Sequence, residues 1–489
     1  SNTTAANNTA IGVSALRANT TGSENTAVGT LALDANTTGT FNVAVGKSAL
    51  SADTLGSRSV ALGTFALEVQ NFTTATSVYN TAIGHGAGAA VTTGANNTFI
   101  GGLAGVANTT GASSTAVGYG ALDANTTGGY NTAIGENALG ANTTASYNTA
   151  VGRHALLTNT TGDGLTAVGQ QALNSNTTGD DCIAIGGYGA SSTIYAALYN
   201  NTTGSQNVAV GVGALRTNTT GDYSTAIGHS ALTGSGGASN TAVGRLALSA
   251  NTTGTLNTSV GALSLLLNTT ANGNTAIGQE AGGDITTGGN NVCLGHNTGH
   301  YSTPLTTGIN NTLLGSYAYT TDAGTDAAVV IGHAVGGAQG YTTLGYATDE
   351  IRAPHGNVVW AVPSDERIKK DIKDATVGLA FINDLRPVTF NYKNKGDLPE
   401  NFRSYEEGST EVYKNSKTQH GFIAQEVKAA IDKHSDIKDG FSMWDDDDPA
   451  GQQRVGETAV VPMLVKAIQE LSAQVEELKT QPKCKCNEE

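Results

Sequence analysis

A 17-residue repeat runs through most of this chain and constrains its fold more than any other feature. Residues 8–22 read Asn-Thr-Ala-Ile-Gly-Val-Ser-Ala-Leu-Arg-Ala-Asn-Thr-Thr-Gly, and the pattern returns from Asn25. A sustained short period is typical of a solenoid, in which each repeat forms one coil and stacked coils share a core. Twenty glycines anchor the repeat: Gly12, Gly29, Gly46, Gly63, Gly84, Gly101, Gly118, Gly135, Gly152, Gly169, Gly186, Gly211, Gly228, Gly244, Gly261, Gly278, Gly295, Gly315, Gly332 and Gly345.

Two local patterns favour β-structure within each coil. The run Asn-Thr-Ala-Val/Ile-Gly alternates small and β-branched side chains, which predicts a strand. The run Asn-Thr-Thr-Gly predicts a turn, because Asn bonds its own backbone and Gly adopts positive φ. A second short strand around Ala15 and Leu16 would complete the coil. We therefore predict a mainly β-chain of about 20 coils, roughly 95 Å long at ~4.8 Å per coil.

One predicted strand face carries only small residues, such as Ala10 and Gly12 or Ala27 and Gly29. Such a face permits close approach between chains, so we expect three rods side by side, with a lone monomeric solenoid as the alternative. The repeats resemble the head repeats of trimeric autotransporter adhesins, which implies a trimeric β-solenoid of the β-roll kind.

The composition changes near residue 350. Residues 1–349 hold 6 Lys+Arg and 15 Asp+Glu, whereas residues 350–489 hold 19 and 25. We predict a β-solenoid fibre over residues 1–340, a neck over 341–363 and a small α+β domain over 364–489. The net charge of −15 disfavours nucleic-acid partners, and no apolar run is long enough for membrane insertion.

No cofactor and no metal site is expected. The four consecutive carboxylates Asp445 to Asp448 lack the spaced ligands of a calcium loop and are interpreted as a solvated acidic loop. Cys182 and Cys293 lie within predicted strands and are expected to be buried.

Ser364 begins the most reactive stretch of the sequence. Serine becomes a nucleophile when a neighbouring base takes its proton, and a lysine can be that base when burial or nearby cations depress its pKa. The alternative is structural, because Ser364 followed by Asp365 and Glu366 is also a good helix N-cap with an acidic first turn.

The C-terminal part resembles the S74 intramolecular chaperone domain of phage tailspikes and tail fibres. Four blocks carry the resemblance: Ser364–Ile372, Leu385–Tyr392, His420–Val427 and Leu464–Leu471. The resemblance implies a trimeric chaperone that nucleates the fibre and then cuts itself off, in a single turnover without an external substrate. Ser364 would be the nucleophile and Lys369 the base of a Ser-Lys dyad that cuts Pro363–Ser364. The supporting residues would be Asp365, Arg367 and Lys370.

A heptad pattern near the C-terminus predicts a coiled-coil helix over residues 461–479. Its a and d positions are Val461, Leu464, Ile468, Leu471, Val475 and Leu478. We interpret this seam as a clamp between three chains; the alternative is a helix packed on its own domain.

These features together predict a trimeric viral tail fibre or appendage for host attachment. Its expected partners are two further copies of the chain, virion tail or baseplate proteins, and a host-surface receptor such as a glycan. It would fold in the host cytoplasm and work outside the cell. The insertions Glu68–Tyr79 and Ala190–Asn200 are candidate receptor contacts.

The sequence leaves two other functions open. A tailspike depolymerase would need paired carboxylates in a groove, which a rod with so few acidic residues disfavours. A cellular trimeric surface adhesin is the third possibility.

Overall fold

The computed structural model describes residues 4–188, 195–234, 236–356, 366, 369–402, 404–438, 441–445 and 453–480. The chain divides into two compact units, Ser1–Pro363 and Ser364–Glu489.

The N-terminal unit is a solenoid with one three-residue strand in most coils. Neighbouring strands pair in parallel and in register, as where Thr9, Ala10 and Ile11 face Thr26, Ala27 and Val28. The predicted period of 17 residues is therefore confirmed. The parallel strands are β1 (Thr9–Ile11), β2 (Thr26–Val28), β3 (Val43–Val45), β5 (Val60–Leu62), β7 (Thr81–Ile83), β8 (Thr98–Ile100), β9 (Thr115–Val117), β10 (Thr132–Ile134), β11 (Thr149–Val151), β12 (Thr166–Val168), β13 (Ile183–Ile185), β14 (Val208–Val210), β15 (Thr225–Ile227), β16 (Thr241–Val243), β17 (Thr258–Val260), β18 (Thr275–Ile277), β19 (Val292–Leu294), β20 (Thr312–Leu314), β22 (Val329–His333) and β24 (Tyr341–Tyr346).

The prediction of a second strand around Ala15 and Leu16 is wrong. Residues 14–18 form a turn in which Ser14 and Leu16 both adopt positive φ, of 62° and 51°. The same left-handed leucine recurs at Leu33 and Leu50, where the side chain is fully buried. A left-handed conformation costs about 1–2 kcal/mol, and burying a leucine contributes about 1.5–3 kcal/mol, so the core offsets the strain.

The small strand face lies inside the coil and not between chains. Ala27 and Ala44 have no exposed surface in the single chain, because they pack with the leucines in the coil interior. The close backbone approach that we predicted between chains is instead between coils of one chain: a Cβ at Gly12, where φ is +132°, would lie 2.6 Å from the carbonyl oxygen of Gly29. That φ is also open only to glycine.

Buried asparagines connect the coils in two ladders. In the strand ladder, Asn25 Nδ2 donates to Gly39 O (2.8 Å) and Asn25 Oδ1 accepts from the Asn42 backbone N–H (3.0 Å). In the turn ladder, made by the Asn-Thr-Thr-Gly asparagines, Asn142 Nδ2 donates to Asn125 Oδ1 (2.9 Å). Each such asparagine also donates to a backbone carbonyl of its own turn, as Asn125 Nδ2 does to Gly128 O. The glycine of this turn lacks the positive φ that we expected; at Gly22 a Cβ would instead lie 2.3 Å from Gly39 O.

The solenoid ends in an antiparallel hairpin. Strand β25 (Asp349–Pro354) pairs antiparallel with β24 and closes the parallel sheet. The segment predicted as a neck, residues 341–363, thus begins inside this sheet. Two short pairs of parallel strands accompany the long β-sheet: β4 (Gly56–Ser57) with β6 (Thr76–Ser77), and β21 (Tyr319–Thr320) with β23 (Gly336–Gly337).

The C-terminal unit is small and mixed. Its helices are α1 (Leu379–Asp384), α2 (Ala424–Asp432) and α3 (Val461–Thr480). Strands β26 (Val388–Phe390) and β27 (Gln419–Gly421) pair antiparallel, as do β28 (Trp444–Asp445) and β29 (Arg454–Val455). Single 3-10 turns span Lys395–Asp397 and Glu457–Val460. Its core contains Val377, Phe381, Val427, Ala430, Ile431, Met443 and Val460.

Candidate functional site

The predicted cleavage junction lies only partly within the described residues. Pro363, Ser364, Asp365 and Arg367 lie outside them. Glu366 accepts a hydrogen bond at its carbonyl from the backbone N–H of Lys369 (3.0 Å). Lys369 and Lys370 are exposed and belong to no helix or strand. The geometry of a Ser-Lys dyad therefore stays a prediction.

The alternative role of Ser364 as a helix N-cap also stays a prediction, because Ser364 lies outside the described residues. Residues 369–377 form no helix, and the first α-helix of this unit begins at Leu379.

The second and third sequence blocks of the resemblance meet in space. Val388 and Phe390 of β26 pair with Gly421 and Gln419 of β27. Next to this sheet, Arg386 Nε donates to Glu426 Oε2 at 2.9 Å, and Arg386 Nη2 donates to Oε1. The bidentate pair lowers the pKa of Glu426 and raises that of Arg386.

The fourth block joins the domain through α3. Glu470 Oε2 accepts from the backbone N–H of Leu379 at 2.8 Å and so satisfies a free donor at the start of α1. Ala467 is buried and Met463 packs against the domain core. One face of α3 thus holds the helix to its own domain, as the alternative interpretation required.

A different face of α3 carries the predicted seam. Its residues stay 40–65% exposed in the single chain. At 100° per residue, the seam lies roughly 100° around the helix from the face that contains Met463 and Ala467. The helix can therefore pack on its own domain and still present an apolar stripe to another chain. The seam residues are Val461, Leu464, Ile468, Leu471, Val475 and Leu478.

Two further sets of polar contacts join α1, and the segment before it, to the residues just after α2. Asp384 accepts from Lys433 Nζ at 2.9 Å and contacts His434 Nε2 at 2.9 Å, and these hydrogen bonds lower the pKa of Asp384. Thr376 donates to Asp436, which lowers the pKa of that carboxyl.

Sequence reasoning missed a cleft of about 620 Å³ beside the β26–β27 pair. Tyr392, Tyr413, Lys414, His420, Gln425 and Glu457 line it. His420 belongs to β27 and faces Thr389 across the pair, so it lies in a strand of the domain. No signal in one sequence brings these residues together, because they come from segments up to 65 residues apart.

Comparison with known families decides the nature of this unit. Residues 364–436 match the model of the Peptidase S74 family, described as the chaperone of endosialidase. The C-terminal unit carries an S74 domain. The match begins at Ser364, where the second compact unit also begins. Neither the curated proteins nor the solved structures gave a match to this chain.

The S74 domain is thus joined to a β-solenoid of near-identical coils. Among the described helices, none is long and apolar enough to cross a membrane. Within the described ranges, no three His, Cys, Asp or Glu side chains gather as metal ligands would.

Proposed function

We propose that this chain is a trimeric, phage-like tail fibre or appendage for host attachment, registered by its S74 domain. The observation that carries the proposal is the S74 domain directly after a solenoid whose coils are nearly interchangeable. Such a rod has a folding problem, because pairing one or more coils out of register costs little energy. A domain that trimerises first fixes the register at one end.

The solenoid offers a surface on which three copies can meet. The third residue of each strand points outward and is usually Val or Ile, and many of these positions keep 36–42% of their surface exposed in the single chain. Large continuous apolar patches of this kind are typical of interfaces. We call this surface the Ile/Val stripe; it includes Val45, Ile83, Ile100, Ile134, Val168, Ile185, Ile227, Ile277 and Ile331.

The seam on α3 supplies the second contact. A seam of fewer than three heptads makes only a marginal coiled coil by itself. Three S74 domains held together, however, need only align the chains before the solenoid coils stack. Cleavage of Pro363–Ser364 would then remove the domain and leave the fibre kinetically stable. The fibre would fold in the host cytoplasm, join tail or baseplate proteins and contact a receptor outside the cell.

Intact-mass spectrometry of the purified full chain tests the cleavage. We expect a C-terminal fragment of 126 residues, corresponding to 364–489. Ser364→Ala and Lys369→Ala should abolish the fragment, whereas Lys373→Ala, which changes another exposed lysine of the same segment, should not. A fragment of the same mass from Ser364→Ala would refute the dyad. Light scattering of the same samples reports the oligomeric state, and a monomeric Ser364→Ala protein would refute the chaperone role.

A further inference from the structure

An exposed ladder of side chains runs beside the strands, two residues before each one begins. These residues adopt positive φ, as at Phe41 (61°) and Tyr130 (59°), which turns their side chains outward. Backbone hydrogen bonds keep them in register: Asn96 N–H donates to Val78 O, and Ser113 N–H donates to Ala95 O, both at 2.9 Å. Seven successive positions form what we call the aromatic ladder: Phe41, Arg58, Tyr79, Asn96, Ser113, Tyr130 and Tyr147.

Two stacks occupy the ends of the aromatic ladder. The rings of Tyr130 and Tyr147 lie 5.1 Å apart and are parallel within 2°. At the other end the guanidinium carbon of Arg58 lies 5.0 Å from the Phe41 ring centre and 5.8 Å from that of Tyr79. Cation–π contacts on both sides hold this arginine between the two rings. These contacts hold the rings of each stack in place before any ligand arrives.

A slot separates the two stacks. Tyr79 and Tyr130 are three coils apart, roughly 14 Å at about 4.8 Å per coil, and only the short side chains of Asn96 and Ser113 lie between them. Each of these two tyrosines is covered on one face by its stacking partner and turns the other face towards the slot. Tyr79 and Tyr130 remain 54% and 60% exposed. The result is a polar floor between two aromatic walls.

We propose that this slot binds a saccharide, with one pyranose ring against the free face of Tyr130 and the next sugar of the chain towards Tyr79. The C–H face of a pyranose is apolar and packs on an aromatic face, while its hydroxyls need donors and acceptors at the side. Asn96 and Ser113 supply both kinds of group. The inference rests on the proposed attachment function and names the ligand class and its place on the fibre.

The pattern along the rod distinguishes this site from a contact between copies of the chain. A surface that pairs with another rod along its length repeats in every coil, as the Ile/Val stripe does. The aromatic residues of the ladder instead cluster locally. Beyond Tyr147 the equivalent positions are mixed: Gly164, Asp181, Gln206, Tyr223 and Ser239. A local cluster of exposed rings fits a ligand of limited length.

Saturation-transfer NMR on the intact chain tests the site with two panels of short oligosaccharides, one neutral and one containing uronic acids. We expect transfer to the sugar protons from tyrosine rings, and Tyr130→Ala should weaken binding by about tenfold or more. Tyr130→Phe should retain binding, because the ring face and not the hydroxyl makes the contact. Tyr223→Ala is the matched control, since Tyr223 is 64% exposed at the same repeat position but outside the slot.

Three results would overturn the proposal. The first is the absence of transfer to every saccharide of both panels, and the second is an equal loss in Tyr130→Ala and Tyr223→Ala. The third is dissociation of the oligomer in Tyr130→Ala, which would identify the ladder as a contact between subunits. If saccharide binding fails while cleavage and the oligomeric state are as expected, the saccharide proposal is refuted and the proposed fibre function is not. The two failures are therefore distinguishable.

Discussion

The ring of Phe99 fills the space that a side chain at Gly105 would occupy. A Cβ on Gly105 would lie 2.6 Å from Phe99 Cε1, and a Cβ on Gly88, one coil earlier, would lie 2.9 Å from Phe99 Cδ2. Phe99 stands where most coils have alanine, and the two glycines stand where most have a buried leucine. A large residue and two small ones thus conserve the core volume across two coils.

This exchange predicts a compensating set of substitutions. Phe99→Ala should reduce local stability by about 3–5 kcal/mol, because it leaves a cavity next to two glycines. Gly105→Leu alone should also destabilise, since the new side chain meets the ring; its φ of 59° is not the obstacle, because Leu122 adopts 58°. The triple variant Phe99→Ala, Gly88→Leu and Gly105→Leu should recover most of the loss.

Amide hydrogen exchange in the coils around Phe99 measures these changes, with exchange near Leu248 as an internal reference. Additive destabilisation in the triple variant would contradict the volume exchange.

The residues of the repeat show what one sequence can predict. The coil, its period and its turns follow because each repeat is a copy that cannot bury a core alone. The alternation of Thr, Ala and Val predicts the strand but does not show which of its faces lies inside the coil. Small residues such as Ala27 therefore pack in the coil interior and not, as predicted, between chains. Left-handed leucines such as Leu33 carry no local signal, because leucine ordinarily avoids positive φ and only the shared core stabilises it.

The S74 domain shows the same division. Its sequence blocks predicted the domain, and the heptad pattern predicted the helix at 461–479, now seen as Val461–Thr480. The contact of Arg386 with Glu426 joins two of those blocks, yet no spacing rule pairs residues 40 positions apart. From the sequence, a clamp between chains and a helix packed on its own domain are alternatives, because a sequence does not reveal that Met463 packs on the domain core while Ile468 stays exposed.

Asp53 interrupts the turn Asn ladder and predicts a pH-dependent stability. It is fully buried, accepts from Gln70 Nε2 at 2.6 Å, and leaves the buried Asn36 Oδ1 of the preceding coil without a hydrogen-bond partner. Burial raises the pKa of Asp53 above its ordinary 3.8. The folded chain therefore holds this proton more tightly than the unfolded chain. The contribution of Asp53 to the stability of the folded rod is fully present below pH 3.8 and is lost as the pH rises through the folded pKa.

Asp53→Asn should stabilise the rod at neutral pH, because the amide removes the cost of burying a charge, while it exchanges the hydrogen bond from Gln70 Nε2 for one to Asn36 Oδ1. The gain should shrink as pH falls towards 4. Thermal unfolding followed across pH measures it, with Asp163→Asn, at an exposed aspartate, as the control. A gain that is constant with pH would show that ionisation of Asp53 is not its source.

The exposed seam on α3 predicts a sharp effect on assembly. Ile468 is 62% exposed in the single chain, so Ile468→Asp costs the monomer little. In a trimer it would bury three carboxylates together, and we expect loss of the trimer in light scattering together with misregistered, aggregating rods. Gln469→Asp places the same charge at the next residue, well away from the seam, and should leave assembly unchanged. Equal behaviour of the two variants would remove the seam from the interface.

The two thiols of the solenoid predict a reporter of unfolding. Cys182 and Cys293 are fully buried, and burial raises the pKa of Cys182 to about 11 and that of Cys293 to about 12. Since only the thiolate reacts, neither should be alkylated in the folded rod near neutral pH, whereas both should react in denaturant. A variant with Cys484→Ser and Cys486→Ser makes the count of labelled solenoid thiols unambiguous.

The labelling should also depend on pH. Because both folded pKa values exceed the ordinary 9.0, the contribution of the two thiols to stability is full below pH 9 and declines above it, so labelling should rise steeply between pH 9 and 12. Rapid labelling of either thiol at pH 7 without denaturant would contradict a closed coil at that position.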